Sequence, residues 1–426
     1  MEEKKKVAIY TLGCKVNAYE SSVMAELFKN AGYDIVDYKD FADIYIVNTC
    51  TVTNMSDRKS RQILRRAKEL NENSILCAVG CYAQVAPNEL AKIEDIDIIL
   101  GTNDKRKIVE IVEEFMKSHE KQLIVTNVLD ERKYIEWGKT AITSKARAEI
   151  KIQDGCDRYC TYCIIPYARG PVRSRSMDDV HDEIVEIAKT GIKEIVITGI
   201  HISSYGKDLE NKPNLIDLIE YIHRIPRIER IRLGSLEPLI ITEDFVNRLK
   251  QLPKVCNHFH LSLQSGCDVT LERMNRRYST DDFRKIVKLL RDNIPEVALT
   301  TDIIVGFPGE TDEEFETTYQ FLKEVNFSKM HVFKYSPRKG TKAEKFPDQI
   351  DMKVKDIRSA KLIELSEQNE KAFASQYIGK EIDVLFENEH NGHTTNYIEV
   401  YSKDDMKPNT IVKCTAIEFN NSEIIV

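Results

Sequence analysis

Ala148-Glu149-Ile150-Lys151-Ile152-Gln153-Asp154-Gly155-Cys156-Asp157-Arg158-Tyr159-Cys160-Thr161-Tyr162-Cys163 is the stretch on which the reading of this chain turns. Residues 148–153 read as a buried-type strand. The loop directly after it carries Cys156, Cys160 and Cys163 in a Cys-x3-Cys-x2-Cys spacing. Three thiolates on so tight a loop can hold three irons of a 4Fe–4S cluster and leave the fourth iron open to a small molecule. A structural zinc ion would want four closed ligands. No fourth ligand stands at zinc-finger spacing, and His181 is distant and falls in a helical pattern.

The alternation continues downstream. Residues 194–198, 230–234, 258–263, 299–305 and 330–335 read as strands, with helical patterns such as 177–190 and 313–325 between them. Six βα units over about 190 residues predict a partial (β/α)6 barrel, with its chemistry on the loops after the strands. Upstream, the first 115 residues alternate in the same way: strands at 7–12, 44–47, 75–79 and 96–100, and helices at 17–30, 56–70, 87–93 and 105–117. That pattern predicts a parallel sheet covered on both faces, with its crevice at the carboxyl ends of the strands. Residues 118–145 are polar, hold the only tryptophan (Trp137) and read as a connector. After a long helix at 351–376, short strands at 382–386, 395–400, 411–417 and 423–426 predict a small β-barrel of the oligonucleotide-binding sort. Asn391-Gly392 and Asn420-Asn421 supply turn chemistry there. The chain is therefore read as α/β, with domains at 3–117, 142–372 and 375–426.

Composition narrows the function. The chain has 426 residues, 42% apolar and 31% charged, with only 17 glycines and 12 prolines. An ordinary globular protein is expected, not a low-complexity one. No apolar run reaches 18 residues, and the charged N-terminus leads into a strand too short for a signal peptide. A cytoplasmic location and no membrane partner are the expectation. In that compartment ten cysteines argue for metal or redox chemistry rather than a disulfide framework. The formal charge of −7 speaks against a protein whose whole surface binds nucleic acid.

Three more cysteines follow strands in the first domain: Cys14 in Thr11-Leu12-Gly13-Cys14-Lys15-Val16-Asn17, Cys50 in Asn48-Thr49-Cys50-Thr51-Val52, and Cys81 in Val79-Gly80-Cys81-Tyr82-Ala83-Gln84. They lie 36 and 31 residues apart. Strand-end placement can bring them to one crevice; free cysteines are also common as small core residues. The residues alone leave both readings open.

Residues 154–163, including Tyr162, resemble the signature loop of radical S-adenosylmethionine (SAM) enzymes. The three N-terminal motifs, in this order ahead of such a loop, resemble the methylthiotransferase family of that superfamily. The resemblance implies two 4Fe–4S clusters, one on Cys156, Cys160 and Cys163 that cleaves SAM to a 5′-deoxyadenosyl radical, and an auxiliary one on Cys14, Cys50 and Cys81 that carries sulfur. It implies two SAM molecules per turnover and a low-potential electron donor such as flavodoxin or ferredoxin. It also marks a SAM pocket at Thr198, Gly199, Ser235, Glu237 and Gln264, and at Asp302, Val305 and Gly306 within residues 301–311. Tyr335-Ser336-Pro337-Arg338 and Gly340-Thr341 match the family too. Cys77, Cys256, Cys267 and Cys414 match no motif and are assigned to packing.

Residues 57–68 hold six basic side chains and one acid. Arg58, Arg61 and Arg65 share one helical face, while Ile63, Ala67 and Leu70 share another. Arg169, Arg173 and Arg175 follow the cysteine loop, and Arg273, Arg276 and Arg277 form a third group. Together they predict a basic rim that holds RNA phosphates, although any one charge run can be a solvated face. Residues 375–426 carry four lysines, nine acids and no arginine. Their segment 392–400 resembles the TRAM module, which reads RNA; the acidity argues the other way.

Within the family, residues 11–17 and 260–264 most resemble the branch that acts on tRNA at carbon 2 of N6-threonylcarbamoyladenosine, next to the anticodon. A threonylcarbamoyl carboxylate would suit an active-site arginine. Two other branches act on N6-isopentenyladenosine in tRNA and on an aspartate of a ribosomal protein. A non-catalytic iron–sulfur RNA-binding or electron-transfer protein is the rival of another class, disfavoured because electron carriers normally close all four cluster positions.

Overall fold

The computed structural model describes residues 4–136, 138 and 146–426. Trp137, Lys145 and the expected boundary at residue 142 lie outside the described residues. The chain divides into two compact units: Met1–Thr143 with Gln153–Arg175 and Ser336–Thr341, and Ser144–Ile152 with Ser176–Tyr335 and Lys342–Val426.

The first unit is built on a six-stranded sheet in the order Asp34–Val36, Lys6–Thr11, Ile44–Thr49, Ile75–Gly80, Ile98–Leu100, Gln122–Ile124. Every pairing is parallel. Strand Ile44–Thr49 is buried at all six positions, as a strand covered on both faces must be. One face packs Met24, Phe28, Ile111 and Phe115 from helices Lys15–Asn30 and Ile108–Ser118. The other packs Leu64 and Ala67 of helix Asn54–Leu70 against Tyr45, Val47 and Leu76. Each large apolar side chain buried in this way contributes roughly 1.5–3 kcal/mol. Strand order reverses at Lys6–Thr11, so the crevice opens beside the carboxyl ends of that strand and Ile44–Thr49.

Two strands here are too short to show an apolar run. Asp34–Val36 and Gln122–Ile124 are three-residue edges without a fully buried position, held by backbone pairing. The second corrects the reading of its segment as connector alone.

In the second unit, strands Arg147–Asp154, Glu194–Gly199, Arg230–Leu233, His258–His260, Ala298–Val305 and Lys329–Lys334 follow one another in chain order. Single parallel bridges, Ile231 to Val255 and Leu236 to Leu261, join the third strand to the region of the fourth. This is the six-unit alternation expected, and Arg147–Asp154 carries the chain from the second unit into the first.

The C-terminal sheet has the order Thr410–Thr415, Glu381–Phe386, Asn391–Thr394, Glu399–Tyr401, Glu423–Ile425, Glu418–Asn420. Its pairings are antiparallel except the one between Glu399–Tyr401 and Glu423–Ile425. The expected strand at 395–400 is mostly the turn between strands Asn391–Thr394 and Glu399–Tyr401, with Tyr397 at φ +68°. Asn391-Gly392 is strand rather than turn: Gly392 lies so close to the Leu385 carbonyl that a Cβ would stand 2.6 Å from it. Asn421 and Ser422, both at positive φ, do make a hairpin turn.

This sheet docks on the amino ends of the barrel strands. Arg230 donates to the carbonyls of His393 and Asp383, and Arg232 to those of Thr394 and Thr395, all at 3.0–3.1 Å. The Tyr397 ring lies 4.5 Å from the Arg232 guanidinium. The acidic module thus occupies the end of the second unit opposite the one that bears the expected SAM residues.

Candidate functional site

Cys50 and Cys81 directly follow two of three adjacent parallel strands in the first unit, and Cys14 follows the third after Leu12 and Gly13. Close backbone approach sets the turns. A Cβ on Gly13 (φ +103°) would stand 2.9 Å from the Cys50 sulfur, so only glycine allows the first turn to lie on the second thiol. Cys50 senses Cys81 and Cys14 electrostatically, and Cys81 senses Cys14. Burial, with Cys81 and Cys14 nearby, pushes the Cys50 thiol up to about 11. Burial also raises Cys81, but Arg169 and Lys105 pull it back down. Cys14 is exposed, which leaves one side of the trio open.

Arg169 is the side chain that organises this site. It is fully buried. Its Nε donates to Cys81 Sγ at 3.3 Å and its Nη2 to Asn17 Oδ1 at 2.6 Å; both Nη atoms bond the Glu20 carboxylate, and Nη1 lies 3.4 Å from Asp154. Lys105, also fully buried, ion-pairs with Glu20 and lies 3.3 Å from Asn48 Oδ1. Arg173 reaches Asp154 at 3.8 Å. Three cations therefore face two carboxylates, and a Cys81 thiolate would supply the missing negative charge.

The cysteine loop belongs to the same unit. Gly155 (φ +71°) lies against Pro171, where a Cβ would stand 1.8 Å from the carbonyl oxygen. Asp154 Oδ1 accepts from the Gly155 N–H at 2.8 Å, and the Cys156 N–H donates to Gly170 O at 3.0 Å. The Cys163 N–H donates to Cys160 O at 2.9 Å, curling the loop. Cys156, Cys160 and Cys163 are all partly exposed, as is Tyr162. Burial pushes Cys156 up to about 11, with Cys160 adding to the rise.

Among the described residues, one trio of His, Cys, Asp or Glu ligand atoms lies within 4.8 Å of one another, the surface group Glu389, His390 and Asp405. The all-thiol donor sets suit an iron–sulfur group, and at the first trio the buried cations Arg169 and Lys105 beside Cys81 favour its thiolate.

In the second unit the remaining expected residues stand at consecutive strand ends. Thr198 is buried and Gly199 half-buried. Glu237 is buried, donates its backbone N–H to Ser203 Oγ (2.9 Å), and its carboxylate lies 3.1 Å from His201 Nε2. Gln264 (φ +72°) pairs through its backbone with Asp302 O and the Ile304 N–H, both at 2.9 Å. His260 Nε2 lies 3.2 Å from Asp302. Ser235 is exposed and Val305 buried. Gly306 donates its N–H to Glu310 at 3.0 Å, and a Cβ there would stand 2.3 Å from Lys355 Cγ.

The arginines divide. Arg58 and Arg65 are exposed on helix Asn54–Leu70, and Arg61 is half-buried. Arg169, Arg173 and Arg175 are at most 2% exposed, so the expectation that they touch RNA is corrected. Their charges are absorbed by Glu20, Asp154 and Glu136 within the unit. The sequence reading missed Glu20, Lys105 and His201. A signal existed for Glu20: with Asn17 and Ser21 it places polar groups on the same buried side as Val16, Val23 and Met24. Cys77, Cys256 and Cys267 are buried, Cys77 inside the sheet core.

Comparison with known proteins gives two family matches: the Radical SAM superfamily over residues 150–322 and Uncharacterized protein family UPF0004 over residues 6–101. The chain is 42% identical over 406 residues to the threonylcarbamoyladenosine tRNA methylthiotransferase MtaB of Bacillus subtilis, covering 93% of this chain and 90% of that one. It is 38% identical over 388 residues to the tRNA-2-methylthio-N(6)-dimethylallyladenosine synthase of Clostridium tetani, covering 89% and 85%. Among solved structures it is similar to the radical SAM methyltransferase TsrM of Kitasatospora setae, with TM-score 0.58 and 14% identity over 79% of this chain and 77% of that one; at that identity the likeness is one of fold.

Proposed function

The chain belongs to the methylthiotransferase family of radical SAM enzymes, and from that premise we propose that it adds a methylthio group to carbon 2 of N6-threonylcarbamoyladenosine in tRNA. It is a transferase, and its family uses SAM and a 4Fe–4S cluster. The observation that carries the proposal is the 42% identity along 90% of the Bacillus subtilis enzyme of that name. The isopentenyladenosine reading has the support of lower identity, 38%, to the Clostridium tetani synthase.

Cys156, Cys160 and Cys163 would hold the SAM-cleaving cluster, and Cys14, Cys50 and Cys81 an auxiliary one. Bound there, the first would supply the electron that cleaves SAM, and the second would supply sulfur. The protein's own residues hold and orient. Gly13 and Gly155 let the loops close. Arg169 fixes Cys81 by its N–H···S bond, and Glu20 fixes Arg169 in turn. We assign Thr198, Gly199, Ser235, Glu237, Gln264, Asp302, Val305 and Gly306 of the second unit to SAM binding, and Tyr162, which precedes the third cysteine in the chain, to the same cofactor. Arg58 and Arg65 are free to meet phosphates. The three-domain division at 3–117, 142–372 and 375–426 remains our assignment. A low-potential flavodoxin or ferredoxin supplies electrons, in the cytoplasm; among the described residues no helix is long and apolar enough to cross a membrane.

Mass spectrometry of tRNA nucleosides from cells with and without the protein tests the substrate: persistence of the methylthio-threonylcarbamoyl nucleoside without it refutes the proposal. Cys50→Ala is expected to retain SAM cleavage and lose thiolation. Loss of both would show that the two trios do not act separately.

A further inference from the structure

We propose that a cavity beside the cysteine turns of the first unit is the subsite for the carboxylate-bearing N6 substituent of the target adenosine, with Arg61 as its anion partner. This rests on the threonylcarbamoyladenosine reading. The cavity measures about 750 Å³, within the range of small-molecule sites. Its wall takes Asn54 from just beyond Cys50, Gln84 from the helix begun by Cys81, and Tyr167 from the helix that follows Cys163. Ile164, the residue after Cys163, lines it as well.

The charges in the wall are unevenly satisfied. Asp57 and Arg338 neutralise each other at 2.7 Å, and Arg338 Nη1 is further held by Asn54 Oδ1 at 2.6 Å. Arg61 is different. Its Nη1 donates to the Tyr82 hydroxyl at 2.6 Å, and its guanidinium lies 5.7 Å from that ring. Among the described residues no carboxylate forms an ion pair with it, and its other N–H groups have no protein partner. Tyr82 in turn donates to Glu89 at 3.0 Å, which fixes the ring that holds the guanidinium. A preset, half-buried guanidinium with unspent donors suits a carboxylate, which it can grip with two parallel bonds. Lys339, exposed at the same cavity, adds a second cation. Glu89 can accept from the N–H groups that a carbamoyl linkage carries. An isopentenyl group would offer none of these polar groups a partner on displacing their water. Tyr167, 39% exposed and packed edge-on to Tyr159 at 5.9 Å, presents a ring for an unpaired base to lie on.

The test uses the full iron-loaded chain and two anticodon stem-loop RNAs. One carries threonylcarbamoyladenosine; the other carries the same group with its carboxylate converted to a neutral methylamide. Wild-type protein is expected to show a KM roughly tenfold or more higher for the amide, the effect of losing one charge-assisted contact. Arg61→Gln should raise KM for the acid by a similar factor and treat the two RNAs alike. Arg61→Lys should recover part of the difference. Arg66→Gln, which removes the same charge from an exposed position on the same helix, should keep the wild-type ratio. Variants are compared at equal iron content. Equal KM values for wild type on both RNAs, or an undiminished ratio in Arg61→Gln, overturns the inference while leaving the substrate reading intact. Wild-type turnover of an isopentenyl RNA but not of the threonylcarbamoyl RNA overturns both.

Discussion

Replacing Glu20 by Gln removes one negative charge from the centre of the first unit and changes almost nothing else. The glutamine is isosteric and can still accept from Arg169. Glu20, Lys105 and Arg169 are all 0% exposed as side chains, so no water screens the lost charge. Breaking a buried pair by removing one partner costs about 3–5 kcal/mol. Part of that is relieved, because burial already lowers the Lys105 pKa and the ammonium can shed its proton. Arg169 has no such escape. The expected loss is therefore at the lower end, about 3 kcal/mol, or roughly a hundredfold in the folding equilibrium. Anaerobic urea unfolding followed by circular dichroism reads it as a lower midpoint of the first unit's transition at unchanged slope. Adding Lys105→Met should restore more than half, since the second uncompensated cation is then gone. A loss below about 1 kcal/mol, or strict additivity of the two substitutions, would refute a buried charge balance centred on Glu20.

Gly155→Ala should displace the cysteine loop, since its Cβ would stand 1.8 Å from the Pro171 carbonyl oxygen at a φ of +71°. Iron per chain is expected to fall by roughly half, the share of one of the two clusters proposed above; Gly379→Ala, with φ +82° and nothing within 4 Å, is the control for backbone strain alone, and equal iron in both would dismiss the steric account. Burial pushes Glu194 up, but Arg232, Arg147 and Arg230 outweigh it and hold the carboxyl below its usual range. Its stabilisation is thus present above the unfolded pKa of about 4.3 and lost as pH falls through the lower folded value. Thermal unfolding of the second unit should show that acid-side slope; in Arg232→Met the unit should be less stable near neutrality, with the gap to wild type narrowing as Glu194 is protonated. A gap independent of pH would exclude Glu194 as the source. Gly306→Ala, which meets Lys355 Cγ at 2.3 Å, should weaken SAM binding measured by equilibrium dialysis, and unchanged binding would remove Gly306 from the pocket.

Much of the architecture was readable from apolar rhythm. Fully buried parallel strands such as Ile44–Thr49 announce themselves as continuous apolar runs. Helix Asn54–Leu70 declares its two faces by charge on one side and Leu64 and Ala67 on the other. The misses have a common cause. Asp34–Val36 and Gln122–Ile124 are held by backbone hydrogen bonds at a sheet edge, which side-chain pattern does not encode. The C-terminal turn was displaced because Gly392 serves close strand contact rather than reversal. The arginines after the cysteine loop look, as a string, like an RNA surface; their acidic partners are as far away in sequence as Glu20.

The sequence by itself determined the chemistry: six cysteines at strand ends and in one tight loop, and the βα alternation that puts them there. Local spacing and strand periodicity are short-range properties, and they survive in a string of letters. Only the tertiary structure decided how charge is spent. It buried Arg169 against Cys81 and Glu20, neutralised Arg338 with Asp57, and left Arg61 with unspent donors in a cavity wall. It also placed the acidic C-terminal sheet on the amino ends of the barrel strands, held by Arg230 and Arg232. A charge's role depends on what the fold brings within a few ångströms and on whether water can reach it, and both are set by contacts between residues far apart in the chain.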